Sequence, residues 1–290
     1  KLKLSATILM VSSVLLAGCM STYEPIKVMP SNGERGVPAD YAKFASILGA
    51  SKLQISTPNA KEGSKNEVET DSNFTGVMDE NFYVDKGSEA LVFKMQGYKL
   101  RNELRILENF KTDNPDKIYK LSADLMLIDP MNAIKNSDPE RDEMTFLQVH
   151  NKGTHDDGKH GAGYIPHPLV RIVWEGERRG IHNHYWAIVK NNAVNCSKEF
   201  GNREKTICKK AYTRYDLGEH DPVNPVHFDI TVGDQRLIID FNGDNVVDHK
   251  LDYWKHMRSY FKAGVYNQFE KGQSEAHFYN LQYSVEETKF

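Results

Sequence analysis

The sequence has little cysteine and little proline, and it has no excess of charge of either sign. Among its 290 residues it has 3 Cys and 11 Pro, and 37 Lys and Arg against 40 Asp and Glu give a formal net charge of −3. The charge balance argues against nucleic acid as a partner, because binding to a polyanion draws on an excess of basic residues. The low proline count and the 39% of hydrophobic residues exclude collagen-like and largely disordered chains.

A short apolar run lies near the start of the sequence. Lys1 and Lys3 precede the run, which covers residues 6–16. The run is too short to span a bilayer as a helix, but it has the length of the hydrophobic centre of a secretory signal peptide. We therefore expect a signal peptide over residues 1–18.

A cysteine follows this run in a recognisable context. Leu16-Ala17-Gly18-Cys19 resembles the bacterial lipobox, in which the cysteine that becomes N-terminal after cleavage carries a diacylglycerol. We expect Cys19 to be lipidated, which makes a membrane the partner of the lipid anchor. Met20 in the next position favours the outer membrane, by analogy with enteric lipoproteins. The expected location is therefore that of an exported outer-membrane lipoprotein.

The rest of the chain divides into a linker and one domain. Residues 19–38 contain several Pro and Gly residues and no apolar period, which is typical of a tether. Residues 39–290 show no internal repeat and no second composition regime. We therefore expect a single domain, present as a monomer.

Export also decides the state of the remaining cysteines. With Cys19 lipidated, Cys196 and Cys208 are left in an oxidising compartment, where we expect them to form a disulfide. The polar segment between them has the character of a surface excursion. Neither cysteine belongs to a pair spaced for zinc, so no metal is expected.

The domain shows the period of β-strands. Apolar residues alternate with polar ones in several segments, as in residues 119–127 and 228–232, and patterns of helical spacing are few. Many strands and few helices predict an antiparallel sandwich or barrel.

Three of the predicted strands carry polar side chains on one face. The first face holds Lys99, Arg101, Glu103 and Arg105; the second holds Phe146, Gln148 and His150; the third holds Tyr260, Lys262, Gly264, Tyr266 and Gln268. A solvated sheet face with cross-strand ion pairs is one interpretation of the first strand, and a structural histidine is one interpretation of the second. Together the residues suit an acidic sugar. They lack the opposed carboxylates of a glycoside hydrolase, because Glu103 lies between two arginines.

These segments also carry a resemblance. RNELR at residues 101–105, QVH at 148–150 and YFKAGVYNQ at 260–268 resemble the signature motifs of the family 7 polysaccharide lyases, the alginate lyases. Those motifs are written R-[ST]-E-[LV]-R, Q-[IV]-H and Y-F-K-A-G-x-Y-x-Q. The similarity runs over residues 42–288, and Asn102 is the one departure. We expect its side chain to point away from the arginine face.

The resemblance implies a fold, a reaction and a set of site residues. The fold is an all-β jelly-roll sandwich of two antiparallel sheets, with the motifs on the concave face of one sheet. The reaction is β-elimination on alginate, which leaves a 4,5-unsaturated uronate and needs no metal or organic cofactor. By match to the family motifs, the catalytic residues are Arg101, Gln148, His150 and Tyr266. The implied substrate-binding residues are Glu103, Arg105, Lys262, Tyr260 and Gln268.

The residues themselves bear on how this reaction would proceed. Arg101, Gln148 and His150 would hold the carboxyl group of the uronate, and Arg105 and Lys262 are expected to favour the phenolate of Tyr266. In mannuronate the C5 hydrogen and O4 lie on the same side, so Tyr266 would serve as both base and acid. In guluronate they lie on opposite sides, so His150 would be the base.

Substrate choice is left more open. Val149 in the middle of the second motif leans toward mannuronate blocks, following a trend in the family. Two alternatives to an alginate lyase are a catalytically inert uronan-binding lipoprotein and a lyase acting on another polyuronate.

Overall fold

The computed structural model describes residues 23–69, 72–135, 143–153, 165–197, 201 and 203–288. The predicted signal peptide over residues 1–18 and the predicted lipidation site at Cys19 lie outside the described residues. Within these ranges no helix is both long and apolar enough to cross a membrane.

Most of the described chain forms two antiparallel sheets. The sheet with the three motif strands, here called the front sheet, contains β2 Ser51–Ile55, β3 Asn66–Glu69, β6 Arg101–Ile106, β7 Phe110–Lys111, β10 Glu143–Gly153, β11 Val170–Arg178, β12 Ile181–Lys190, β13 Tyr212–Glu219 and β17 Arg258–Gln268. Its strands lie in the order β13-β12-β11-β10-β17-β6-β2-β3, and β7 pairs with β17. The order places the three motif strands β10, β17 and β6 side by side.

The second sheet, here called the back sheet, contains β1 Arg35–Gly36, β4 Phe82–Asp85, β5 Leu91–Gln96, β8 Lys117–Leu127, β9 Ile134–Lys135, β14 Val226–Gly233, β15 Arg236–Phe241, β16 Asp244–Lys250 and β18 Lys271–Glu287. Its order is β1-β4-β5-β18-β8-β14-β15-β16, and β9 pairs with β18. Short α-helices are α1 Ala45–Gly49, α2 Pro130–Ala133 and α3 Thr206–Lys209, and 3-10 turns are Pro38–Asp40, Ala42–Phe44 and Asp252–Trp254. This architecture confirms the predicted all-β sandwich of two antiparallel sheets.

Side chains from both sheets form one hydrophobic core. Leu121 and Leu125 of β8 are fully buried on the back sheet, and Phe261 and Val265 of β17 are fully buried on the front sheet. Each such side chain stabilises the fold by about 1.5 to 3 kcal/mol. A slip of β17 by one residue would expose them and bury its polar face, so the core fixes the register that presents the third motif.

The strand that carries the second motif departs from strict alternation. The pairing of β10 with both neighbours shifts register between Thr145 and Leu147. Phe146 and Leu147 are consecutive and both buried, and the ring of Phe146 packs against Phe228 with centroids 5.4 Å apart. The prediction that Phe146 shares a face with Gln148 is therefore wrong, because a β-bulge inserts one residue and reverses the alternation.

The segment before the first long strand lies against the back sheet. The phenol of Tyr23 donates a hydrogen bond of 3.0 Å to Asp124 of β8, and Ser31 donates one of 2.5 Å to Asp85 of β4. Arg35 then pairs with Asp85 in the short ladder of β1 and β4. Residues 23–36 belong to the predicted linker, yet in the structure they pack on the domain, so the packed part of the chain begins before residue 39.

The predicted disulfide is confirmed. Cys196 and Cys208 are bonded, with their Cα atoms 5.6 Å apart. The bond closes the connection between β12 and β13, in which α3 is the helical element among the described residues. Both sulfur-bearing residues are buried together with Ala211 in a small apolar cluster of their own.

Candidate active site

The pairing of β10, β17 and β6 brings the predicted catalytic residues to one face. His150 pairs with Tyr260, and Gln148 pairs with Lys262, across β10 and β17. Tyr266 in turn pairs with Arg101 across β17 and β6. Residues that lie far apart in the sequence therefore become neighbours on the outer face of the front sheet.

Glu103 lies beneath this face and joins several of its residues. Its side chain is buried, accepts a hydrogen bond from the amide nitrogen of Gln148 and forms an ion pair with the ammonium of Lys262. The guanidinium of Arg101 lies 3.5 Å from the same carboxylate. Glu103 thus holds an amide and two cations in place, and its own contact with substrate stays a prediction.

Lys262 is buried with its partner. Its side chain is 1% exposed, so its ammonium lies under the site and is ion-paired there. Burial lowers the pKa of Lys262 to about 7, and Arg101 lowers it as well, while Glu103 opposes them. The structure therefore places this predicted substrate-binding residue in contact with Glu103.

Arg101 keeps hydrogen-bonding capacity for a ligand. Its guanidinium carbon lies 4.7 Å from the centre of the Tyr266 ring. Its Nε atom is buried and has no hydrogen-bond partner within the described part of the chain. A buried donor without a partner costs about 1 to 3 kcal/mol, which a carboxylate ligand would recover.

The imidazole of His150 is set up to accept a proton. Its Nδ1 lies 3.1 Å from the carbonyl oxygen of Asn151. Since a carbonyl only accepts, Nδ1 carries the proton and Nε2 keeps its lone pair. Desolvation, followed by the charges of Lys262 and Arg101, lowers the pKa of His150 to about 3. The ring stacks on Tyr260, with centroids 5.3 Å apart, and is neutral near pH 7.

The phenol of Tyr266 is protonated in the unliganded site. Burial raises the pKa of Tyr266, and the cations that oppose this rise most are Arg101 and Arg171. Arg105 and Lys262, which are expected to favour the phenolate, are not among the cations that lower this pKa most, and burial outweighs the cations that do. The pair formed by a neutral imidazole and a neutral phenol contains one base and one acid.

Gly264 allows the two strands that carry Arg101 and Tyr266 to approach closely. Its φ angle is +141°, and a Cβ atom at this position would lie 2.2 Å from the carbonyl oxygen of Asn102. No side chain fits there without moving β6. Asn102 itself points into the protein, as expected, and its amide donates to the carbonyl oxygen of Asn81 at 2.7 Å.

Arg105, one of the predicted substrate-binding residues, is bound to the protein. Its guanidinium donates to the carbonyl oxygens of Ile106 at 2.5 Å and Leu107 at 2.7 Å, and to the side chain of Asn109 at 2.5 Å. It also lies over the ring of Tyr260, 4.0 Å from its centre. These contacts position Tyr260, and its own contact with substrate stays a prediction.

The last motif residue leads to charged residues that the sequence analysis missed. The side-chain oxygen of Gln268 accepts hydrogen bonds from Thr145, at 3.1 Å, and from Arg171 of β11. Arg171 also donates to Glu143 at 2.8 Å. The signal for Arg171 was present, because it is a cation in the apolar alternation of residues 169–174.

This second charged cluster continues across the front sheet. Arg214 of β13 donates to Glu175 of β11 at 2.8 Å and lies 3.3 Å from Glu143. Burial and the adjacent Glu143 raise the pKa of Glu175 to about 7. For Glu143, burial acts upward, but Arg171 and Arg214 outweigh it and lower the pKa. The cluster therefore places two arginines and two carboxyl groups on the front sheet, with Arg171 close enough to Tyr266 to lower its pKa.

Comparison with known proteins agrees with this geometry. A family model described as alginate lyase matches residues 48–285. An alginate lyase of Photobacterium sp. (strain ATCC 43367) is 49% identical over 281 residues, which cover 96% of this chain and 97% of that protein. The structure of alginate lyase AlyC3 in complex with dimannuronate is 49% identical, with a TM-score of 0.84, and the match covers 91% of this chain and 100% of that chain.

A more distant structure extends the likeness in fold. Alginate lyase A1-II', a member of polysaccharide lyase family 7, matches with a TM-score of 0.60 at 21% identity, over 86% of this chain and 99% of that chain. Together, the family match and the close relatives define a polysaccharide lyase. The chain belongs to the alginate lyase family of this model, which confirms the family indicated by the three motifs.

Proposed function

We propose that this chain cleaves the 1,4-glycosidic bond of alginate by β-elimination on the outer face of the front sheet. The observation that carries the proposal is the grouping of Arg101, Gln148, His150 and Tyr266 on paired strands. Within this group the imidazole of His150 has a free lone pair, and the hydroxyl of Tyr266 keeps its proton. The similarity to proteins named alginate lyase supports the choice of substrate.

The chemical obstacle is the carboxylate beside C5, which resists a second negative charge on the adjacent carbon. Arg101 and Gln148 are proposed to hold this carboxylate and to strengthen their hydrogen bonds as charge develops. Charge-assisted hydrogen bonds contribute roughly 1.5 to 3 kcal/mol each. The unpartnered Nε of Arg101 supports this role.

The proton transfers follow from the two protonation states. A base breaks the C5–H bond, the electron pair forms the C4–C5 double bond, and the C4–O4 bond breaks. On guluronate, His150 takes the C5 proton and Tyr266 gives its proton to O4. On mannuronate, Tyr266 takes the C5 proton and returns it to O4. In this second route the phenol must first lose its proton to solvent, and Arg101 and Arg171 are the cations that favour the resulting phenolate.

A preference for mannuronate blocks is part of the proposal. It is supported by Val149 in the second motif and by the likeness to a structure solved with dimannuronate. Val149 is fully buried, so it acts through the seating of β10 and not by touching the sugar. A difference of one methylene is worth on the order of 1 kcal/mol, which biases a ratio of rates without making it exclusive.

One experiment tests both the alginate lyase activity and the preference for mannuronate blocks. The soluble domain is incubated with polymannuronate, polyguluronate and polyglucuronate, and absorbance of the new conjugated double bond is followed. We expect turnover on both alginate blocks and a higher kcat/KM on polymannuronate. Absence of turnover on any alginate would support the inert uronan-binding alternative, and turnover on polyglucuronate alone would support a different lyase.

The location of the protein is proposed from the sequence. Residues 1–18 are proposed to be removed as a signal peptide, and Cys19 to anchor the chain in the outer membrane. Incorporation of labelled palmitate into the native chain and its loss in Cys19→Ser test this. All the proposed reacting groups come from one chain, so a monomer suffices for activity, and light scattering checks its mass.

A further inference from the structure

Residues 23–36, here called the strap, cross the outer face of the back sheet. At its start, the phenol of Tyr23 donates to Asp124 at 3.0 Å, and its ring stacks on His227 of β14 with centroids 5.5 Å apart and planes at 30°. At its end, Arg35 pairs with Asp85 of β4. Since β14 and β4 lie on opposite sides of the back sheet, the strap runs across its strands.

The middle of the strap has two distinct sides. Ile26 and Val28 pack on a small apolar cluster formed by Tyr83, Ala90, Val92 and Tyr279. The residues between and after them, Lys27 and Met29, are exposed, and Met29 is 69% exposed. The strap therefore binds the sheet with one side and presents a cation and a large apolar side chain on the other.

The docking site of Tyr23 is built from charged residues. Asp124 is nearly buried and also accepts hydrogen bonds from Asn280 at 2.7 Å and from His227 at 2.8 Å. Asp229 lies 3.3 Å from the other nitrogen of His227. Hydrogen bonds to these two aspartates raise the pKa of His227 to about 9, so the ring is charged near pH 7. Tyr23 thus rests on a formed ion pair.

We propose that the strap fixes the orientation of the enzyme on the membrane, with the back sheet turned toward the phospholipid surface and the front-sheet site turned away from it. This inference rests on the proposed lipidation of Cys19. Tyr23 follows Cys19 by only four positions. A chain of that length spans at most about 14 Å. The proposed reacting groups lie beyond both sheets, which are packed about 10 Å apart face to face.

The orientation leaves the cleft accessible to a long polymer. A lipid anchor on a flexible tether would allow the site to turn toward the bilayer, where a polyanionic chain meets anionic headgroups. With the strap docked, the exposed Lys27 and Met29 face the headgroups instead. A lysine and a methionine suit the boundary between charged headgroups and acyl chains.

Energy transfer to the membrane tests the orientation. The native lipidated chain is reconstituted in phosphatidylethanolamine and phosphatidylglycerol vesicles that carry a headgroup-bound acceptor. Two variants that each add one free thiol to the lipidated, disulfide-bonded chain are labelled with a donor: Met29→Cys on the strap and Val68→Cys on β3 of the front sheet, where the side chain is 49% exposed. We expect several-fold stronger quenching at position 29 than at position 68. Equal quenching, or stronger quenching at position 68, would overturn the proposal.

Two controls separate the possible failures. A flexible insertion of about 20 residues before Tyr23 lengthens the tether and should reduce the difference between the two labels. A chain that does not remain with the vesicles would overturn both the anchor and the orientation. Turnover of soluble alginate is measured on the same samples, so loss of the lyase activity proposed above is seen independently of either result.

Discussion

The guanidinium of Arg101 lies over the ring of Tyr266, 4.7 Å from its centre. The same arginine lies 3.5 Å from Glu103, which is paired with Lys262 under the site. The residue proposed to hold the substrate carboxylate is therefore in contact with the proposed proton donor and with the buried ion pair. Changes at any of these positions are expected to be felt at the others, so their effects on rate will not add.

Tyr266→Phe removes only a hydroxyl group. We expect turnover to fall by roughly 10² to 10⁴ while KM changes little, because positioned proton transfer contributes about that much to a rate. Initial rates over a range of polymannuronate concentrations give kcat and KM, and a thermal melt checks that the variant is folded. A variant that keeps more than about a tenth of the wild-type rate would remove Tyr266 from the proton transfers.

The pH dependence of kcat/KM reports the protonation of His150 in the free enzyme. Since desolvation lowers its pKa to about 3, the ring stays neutral as the pH falls through the usual histidine range near 6.5. The acid limb of kcat/KM is therefore expected well below pH 6.5. Nitrogen NMR of the ring between about pH 5 and 8 checks the assignment. A ring signal that titrates near pH 6.5 would contradict it.

Glu103→Gln leaves the ammonium of Lys262 buried without a charged partner. We expect a loss of roughly 3 kcal/mol in the free energy of unfolding at pH 5, where Lys262 is protonated and an uncompensated buried charge is costly, and a smaller loss at pH 8, where the lysine is neutral. Glu67→Gln is the matched control: its carboxylate pairs with Lys52 at 2.7 Å but is one-third exposed. We expect Glu67→Gln to lower the free energy of unfolding by less than about 1 kcal/mol. Urea unfolding of both variants decides, and equal losses would contradict the prediction.

Arg171→Gln distinguishes the two elimination routes. Arg171 favours the phenolate of Tyr266, which the route on mannuronate requires and the route on guluronate does not. If the pKa of Tyr266 rises by about one unit, kcat on polymannuronate should fall about tenfold more than kcat on polyguluronate. Arg178→Gln is the control: it loses pairings with Glu175 and, at 3.7 Å, with Glu143, but Arg178 is not among the groups that shift the pKa of Tyr266 most. Equal losses on both blocks would argue against a phenolate base.

The disulfide is expected to stabilise the chain without entering the chemistry. Cys196 and Cys208 are 12 residues apart, and closing a loop of this size stabilises by about 3 kcal/mol. Replacing both by serine should lower the melting temperature and leave kcat at a low assay temperature within about twofold of the wild type. A large loss of kcat at that temperature would show that the loop contributes to the site.

Much of the site could be predicted because it depends on local alternation. The strand β6 has charged residues on one face and apolar residues on the other, so only one orientation in a sandwich buries its apolar face. The order of the strands then brings the three motifs together. The alternation failed at Phe146, where a bulge adds a residue. A bulge depends on the fit between two sheets, which a single segment of sequence does not encode.

Contacts between distant parts of the sequence were also missed. Tyr23 and Asp124 are 101 positions apart, and the strap has no period that would predict a strand or helix. The burial of Lys262 was missed for a related reason. Alternation predicts which face a lysine occupies, but not that a buried Glu103 pairs with its ammonium.

Gly264 sets a limit on how this enzyme can be redesigned. A single added carbon at this position meets the backbone of β6 and leaves no space for even the smallest side chain. Libraries that vary the third motif to change block specificity should hold this position constant and place their diversity at the solvent-facing ends of β11 and β13. There, Arg178 and Arg214 are partly exposed, and varying them together with their partner Glu175 does not separate the strands that carry Arg101 and Tyr266.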